Sequence, residues 1–453
     1  MDVKELYENY QELLNKDITL SGWVRTNRAQ KDIGFINFHD GTCFQGVQLV
    51  YDDKTSDFSK ISALNNGASV TVSGTLVKSP KEKQPFELHV KKIILEGDCP
   101  SDYPLQPKDH SREFLREIAY LRPRANLFQA VYRIRNVASY AIHNYFHLHN
   151  YVHVASPIIT GNDGEGAGEM FQVTTLPLGK EPNYENDFFG KKVGLTVTGQ
   201  LEAETFALAF KKAYTFGPSF RAEHSNTKTH AAEFWMLEPE IAFCDLYGLM
   251  DIEEDMLKYI IKYVLDNAKD EIAFCDRYVE NGLIEKLNHV INSKAIRISY
   301  TDAINELIKS KKKFSVPVKW GNDIGAEHEK YLTQELYKSP VFIYDWPKDI
   351  KAFYMKINDD NKTVRGVDLL VPLGGELMGG SERETDLTKL KKRMKELNVS
   401  EKGLEWYLDL RKYGGCTHSG FGMGFDRLLI YLTGVDNIRD TIPYPRTVGN
   451  CEY

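Results

Sequence analysis

Apolar and polar residues alternate over 17–26 (DITLSGWVRT), 34–41 (GFINFHDG) and 44–53 (FQGVQLVYDD), the period-two pattern of half-buried strands. A short helical stretch follows over 58–65, and two more alternating runs cover 68–77 (ASVTVSGTLV) and 86–95 (FELHVKKIIL). Five short strands with a helix after the third predict an OB-fold barrel. Such barrels commonly bind single-stranded nucleic acid or sugars, and a small barrel for another ligand stays open as an alternative.

Residues 98–112 (DCPSDYPLQPKDHSR) hold three prolines and several turn formers, and read as a linker. From 124 the period changes. Leu127, Val131, Ile134, Ala138, Ile142 and Tyr145 recur every three or four positions, predicting a long amphipathic helix. It leads into VHVASPIIT, an alternating strand interrupted by Pro157. Proline cannot donate to a ladder, so this strand belongs at a sheet edge, where a second copy of the chain could complete it. The rest mixes strands and helices without βαβ regularity, and no Walker A loop or early dinucleotide fingerprint is present. The basic runs 309–313 and 389–395 read as solvated helix faces, with RNA backbone contact as the alternative.

Composition narrows this picture. A chain of 453 residues exceeds one compact core, and ~100–200 residues per domain predicts two or three units. The net charge of −7 argues against an indiscriminate nucleic-acid binder, and residues 1–100 are not basic either. The polar amphipathic N-terminus lacks the apolar core of a secretory signal, and no run is long enough to span a membrane. Six scattered cysteines form no CxxC pair, so reduced thiols in a cytoplasmic protein are expected, with neither disulfides nor zinc.

Three segments carry the candidate chemistry. In the first, YTFGPSFRAEHSNTKTHAAEFWMLEPEIAF (214–243), two apolar strands flank a polar loop. Arg221 and Glu223 stand two apart at its start, and arginine is suited to a bidentate grip on phosphate or carboxylate. In the second, VDLLVPLGGELMGGSERE (367–384), Asp368 and Glu376 lie in apolar surroundings. Buried acids need a partner, and Mg²⁺ is a natural one beside phosphates. In the third, HSGFGMGFDRLLIYLTG (418–434), Gly420, Gly422 and Gly424 strip one strand face of side chains, so that a flat base can lie on backbone, and Arg427 opens the next helix. Cys416 and His418 share a strand face, but the chemistry below needs no thiol nucleophile.

In this order the segments resemble the three motifs of the class II aminoacyl-tRNA synthetases: the helix and strand at Pro157, the hairpin with Arg221 and Glu223, and the glycine strand with Arg427. An N-terminal barrel is similar to subclass IIb, the aspartate, asparagine and lysine enzymes. The resemblance covers essentially the whole chain, through TVTGQLEAE, YTFGPSFRAE, AEFWMLEPE, PKDIKAFYMK, GGSERE and NIRDTIPYPRT. It implies an α+β protein: an OB-fold anticodon-binding domain at 1–100, a linker at 101–123, and a catalytic domain at 124–453 with an antiparallel sheet flanked by helices. It also implies a homodimer with Pro157 at the interface, ATP and an amino acid as substrates, Mg²⁺ and tRNA. Arg221 would hold the α-phosphate and substrate carboxylate, and Phe234 would stack on adenine opposite Arg427. Glu223 would face the adenine side, His230 and Arg427 the γ-phosphate, and Asp368 and Glu376 the metal. Glu165, Thr198 and Gln200 would bind the α-amino group; serine is usual at 198. In the barrel, Phe35 would stack on the middle anticodon base, Gln48 would hydrogen-bond it, and Arg25 would lie near the anticodon loop; barrel core is the alternative for Phe35.

Within the subclass the similarity is greatest to the asparagine branch, whose substrates are L-asparagine and tRNA(Asn). The aspartate enzymes have a lysine where this chain has Ala203, an aspartate where it has Glu238, and, in bacteria, a large insertion; here about 125 residues separate Phe243 from Asp368. Glu238 and Arg383 could accept from and donate to a side-chain amide. An aspartate-specific enzyme, an asparagine synthetase on the same scaffold and a non-catalytic regulator are the competing readings. Cys416 where proline is usual, and Asp426 where glutamate is frequent, are departures from the branch.

Overall fold

The computed structural model describes residues 1–453 except 81–83, 165–168, 178 and 180. The chain divides into two compact units, 1–130 and 131–453.

In the first unit β1 (Asp17–Ala29), β2 (Ile33–His39), β3 (Val47–Asp52), β4 (Ser69–Lys78) and β5 (Phe86–Gly97) close into a barrel of order β1-β2-β3-β5-β4. A helix, Phe58–Ser62, sits between β3 and β4, so the expected OB-fold order is present. Alternation places Leu20, Val24, Ile36, Phe38, Val47, Leu49, Val70, Val72 and Leu88 inside. The β2–β3 register brings Gly34 opposite Tyr51, and a Cβ at Gly34 would stand 2.1 Å from the Tyr51 ring. The polar N-terminus forms a helix, Val3–Leu13, whose buried Val3 and Leu6 join the barrel core.

In the second unit the expected long helix spans Asn126–Leu148, reaching back across the division. The strands are β6 (Val152–His153), β7 (Ile159–Thr160), β8 (Gln172–Val173), β9 (Val193–Leu195), β10 (Lys212–Phe220), β11 (Glu233–Ala242), β12 (Ile296–Ser299), β13 (Val341–Pro347), β14 (Thr363–Val371), β15 (Gly375–Glu382) and β16 (His418–Gly424). Eight of them form one sheet in the order β12-β13-β14-β15-β16-β11-β10-β6, and β7-β9-β8 form a second. The large sheet is antiparallel except for the β12–β13 and β6–β10 pairs. Helices Leu246–Asn267 and Gln200–Phe210 pack on it.

One expectation needs correction. The strand read over 152–160 is two pieces in different sheets, with exposed Pro157 between them. Proline lacks the N–H that a continuous ladder needs, and the chain changes sheets there. The remaining edge strand, β6, is two residues long.

The long helix is tied to the glycine-strand segment by buried charge. Arg135 donates to the Asp426 carboxylate and to the Thr441 carbonyl, and its guanidinium lies over the Phe425 ring. Asp426, almost fully buried, also accepts from the Trp235 N–H at 3.0 Å. Removing the cation leaves a buried charge with reduced compensation. Arg135→Met is expected to lower the unfolding free energy by ~3–5 kcal/mol in urea denaturation. A loss below ~1 kcal/mol would assign the pair the weight of an exposed one.

Candidate active site

The site face of the sheet follows from register. Asp368 lies opposite Gly379 on β15, and Gly379 lies opposite Gly422 on β16. The β11–β16 register, with Leu237 opposite Met423 and Glu240 opposite Gly420, places Glu238 across from Gly422, and Thr215 follows on β10. The adjacent row of the same face holds Ser381, Gly420 and Glu240. Directly opposed residues share a face and period two repeats it, so Glu238, Glu240 and the expected glycines all face one way. A Cβ at Gly420 would stand 2.1 Å from the Glu240 carboxylate, which makes glycine a requirement there. At Gly424 only ordinary contact with Arg427 would result.

Around this floor the expected residues fall into three groups. Arg221, Glu223 and His230 line one cleft with Thr447 and Val448. The β10–β11 ladder continues past the strand ends, where the Arg221 N–H donates to the Ala232 carbonyl at 3.0 Å. The Arg221 guanidinium stands 5.4 Å from the centroid of the Phe234 ring. The hairpin loop is held from outside: Lys228 Nζ donates to Asp436 at 2.6 Å and Arg439 Nη2 to Asn226 Oδ1 at 2.7 Å.

The second group is acidic. Asp368 Oδ1 and Glu376 Oε1 lie 3.2 and 3.5 Å from the point where a Gly379 Cβ would stand, so the two carboxylates converge on a glycine gap. Lys351 Nζ donates to buried Asp368 at 2.6 Å. Burial nonetheless raises the Asp368 carboxyl. Glu376 keeps a solvent-exposed edge, yet the protein wall around it and then Asp368 push its carboxyl up to about 7. Glu329 accepts from the Glu376 N–H at 3.2 Å; burial, then Asp323 and Asp368, push it up to about 7. Arg427, exposed at its helix start, acts on Glu376 and Glu329 in the opposite direction. Among the described residues no three His, Cys, Asp or Glu side chains are grouped to hold a metal by themselves. Two convergent carboxylates do fit Mg²⁺, which keeps waters and takes its remaining ligands from phosphate.

The third group is buried. Glu238 accepts from the Thr198 hydroxyl, from the Gly199 N–H at 2.8 Å and from the Thr215 hydroxyl at 3.2 Å. Burial pushes its carboxyl up, against these hydrogen bonds and the charge of Arg221. Arg383 forks onto Glu240 and donates to Ser381 Oγ at 2.7 Å. Glu238 and Arg383 therefore do not pair with each other. Ala203 is fully buried on helix Gln200–Phe210, which also carries Gln200 and Glu204. Glu165 lies outside the described residues.

Sequence reasoning missed Lys351, Glu329, Glu204 and Glu240. Glu204 had a signal, since it stands four residues after Gln200 on one helix face. Lys351 and Glu329 had none, because they reach the acids from segments distant in the chain.

In the barrel, Phe35, Gln48 and Arg25 stand apart from the core residues. Phe35 pairs with Arg28 on β1 and Val50 on β3, and Gln48 pairs with Asn37 and donates to Glu87 at 3.3 Å. Arg25 falls where the β1–β2 register shifts, a bulge that re-aims a side chain.

Residues 111–448 match the family of class II tRNA synthetases (D, K and N), and residues 18–96 match the OB-fold nucleic acid binding domain. An asparagine–tRNA ligase of Clostridium acetobutylicum is 54% identical, over 100% of this chain and 99% of its own. The asparaginyl-tRNA synthetase of Pyrococcus horikoshii, solved with asparaginyl-adenylate, superposes with a TM-score of 0.86 at 33% identity, covering 97% of both chains. That of Entamoeba histolytica, also with asparaginyl-adenylate, gives 0.84 at 26% identity, again over 97% of both. With its barrel, its arginine hairpin and its glycine strand matched along the whole length, the chain belongs to the class II tRNA synthetases of the aspartate, lysine and asparagine group.

Proposed function

We propose that this chain is an asparagine–tRNA ligase, joining L-asparagine to ATP and then to tRNA(Asn). What supports the choice of amino acid is the pair of buried residues at the positions where the aspartate enzymes differ, small Ala203 and ionisable Glu238. A carboxylate has about four acceptor sites and Glu238 uses three, which leaves one for an amide NH₂. Arg383 uses three of its five N–H groups, which leaves two for the amide oxygen. Full-length identity of 54% to an asparagine–tRNA ligase supports the same reading.

In the first step a carboxylate oxygen of asparagine attacks the α-phosphorus in line. The bond to the β-phosphate breaks, giving asparaginyl-adenylate and pyrophosphate. In the second, the terminal 3′-hydroxyl of tRNA takes the acyl group, and AMP leaves with the hydroxyl proton released. Positioning and charge neutralisation dominate such chemistry, so no protein nucleophile is required. Arg221 grips the α-phosphate and the substrate carboxylate. Phe234 stacks on adenine opposite Arg427, Glu223 contacts the adenine side, and His230 and Arg427 meet the γ-phosphate. Glu165, Thr198 and Gln200 take the α-ammonium. Asp368 and Glu376 would hold Mg²⁺, which when bound neutralises phosphate charge. Residues 1–100 bind the anticodon through Arg25, Phe35 and Gln48, residues 101–123 link, and residues 124–453 catalyse. The enzyme works in the cytoplasm as a homodimer, with Pro157 at the interface; no described helix is long and apolar enough to cross a membrane.

ATP–pyrophosphate exchange with the two amino acids side by side tests the pocket. Like charges ~4 Å apart at an effective dielectric of ~20 cost ~4 kcal/mol, so kcat/KM for asparagine is expected to exceed that for aspartate by roughly a thousandfold. Equal exchange with aspartate would overturn the assignment. Ala203→Lys supplies Glu238 with a cation and is expected to raise the KM for asparagine while the variant still melts cooperatively; unchanged asparagine kinetics would misplace the pocket. For the barrel, Phe35→Ala removes a stacking contact worth ~1–3 kcal/mol, lowering kcat/KM for tRNA about 5- to 150-fold with exchange unaffected. Equal charging by variant and parent would remove Phe35 from the RNA interface.

A further inference from the structure

Gln200 and Glu204 stand one helical turn apart on helix Gln200–Phe210, and both are buried. Glu204 Oε1 faces Gln200 Nε2 at 3.2 Å and the Tyr407 hydroxyl at 2.8 Å. Its Oε2 faces Arg411 Nη2 at 2.9 Å and His418 Nε2 at 3.0 Å. The other ring nitrogen of His418, Nδ1, faces the Cys416 carbonyl at 2.8 Å. Both nitrogens thus meet acceptors. Burial opposes ionisation of Glu204, but Arg411 and then His418 outweigh it and hold the carboxyl well below the usual range.

An ionised carboxylate offers about four acceptor sites and no donor, and here four donors converge on it. Gln200 can meet it only with its NH₂ end. Its carbonyl Oε1 is then the atom presented on the other side, where no described residue donates to it. The two ends of an amide are nearly the same in shape but opposite in polarity. Toward an ammonium, the oxygen attracts and the NH₂ repels.

We propose that Glu204 is a positioning residue for amino-acid recognition: it locks the Gln200 amide so that the carbonyl oxygen faces the α-ammonium of asparagine. The proposal rests on the assignment of Gln200 to the α-ammonium. Arg411, His418 and Tyr407 act through Glu204, by occupying every remaining acceptor site on it.

The test compares L-asparagine with succinamic acid, which has the same carboxylate and amide but no ammonium. The KM for asparagine and the inhibition constant of succinamic acid are measured in ATP–pyrophosphate exchange for the parent, Glu204→Gln and Gln200→Ala. Glutamine at 204 offers donor and acceptor alike and lets the Gln200 amide turn over. The KM for asparagine is expected to rise about 10- to 100-fold, with kcat changed far less and succinamic acid inhibition within about threefold. Where Glu204→Gln does not fold, Glu204→Asp serves: it keeps the charge for Arg411 and His418 but falls short of Gln200. Equal weakening of both ligands, or of neither, overturns the proposal. Gln200→Ala separates the two layers. If it leaves the preference for asparagine over succinamic acid intact, the assignment of Gln200 fails, and the proposal with it. If it abolishes the preference while Glu204→Gln keeps it, the proposal alone fails.

Discussion

Side chains on a strand alternate between faces, so a slip of one residue between β11 and β16 would turn Glu238 and Glu240 away from the glycines opposite them. The observed register lines up Asp368, Gly379, Gly422 and Glu238 across four strands, with Ser381, Gly420 and Glu240 in the next row. The glycines make the floor flat, and the acids stand at its two ends. The opposite face is packed: a Cβ at Gly380 would stand 3.0 Å from Glu253 on helix Leu246–Asn267. One strand pairing therefore separates the glycine-floored face from the face that packs against the helix.

Buried charge is the second organising constraint, since a charge removed from water must find a partner or neutralise. The site face uses the first solution repeatedly. Arg383 forks onto Glu240, Lys351 holds Asp368, and Glu204 gathers Arg411, His418, Tyr407 and Gln200. Glu253, on the helical side, shows the second. Its oxygens have no hydrogen-bond partner among the described residues, and burial raises its carboxyl well above the usual range. The charged groups on the glycine-floored face are held in fixed orientation by other groups, which is the condition for electrostatic preorganisation.

The two units were legible to different degrees. The barrel was readable because half-buried strands carry their inward and outward positions in the alternation itself, and Phe35 and Gln48 fall on the outward positions. The hairpin with Arg221 and the strand with Gly420 were readable because each is a local motif with fixed spacing. The strand around Pro157 was only partly so. Alternation announces a strand but does not say that the chain leaves one sheet for another at the proline.

By itself, the sequence determined the barrel, because its alternation lies within short stretches, and the family and its α+β class, because the resemblance is carried by local motifs. Only the tertiary structure decided which charge neutralises which. Lys351 reaches Asp368 across 17 positions, and Arg411 and His418 reach Glu204 across more than 200. Pairings of that kind are set by strand register and helix packing, and no local pattern encodes them.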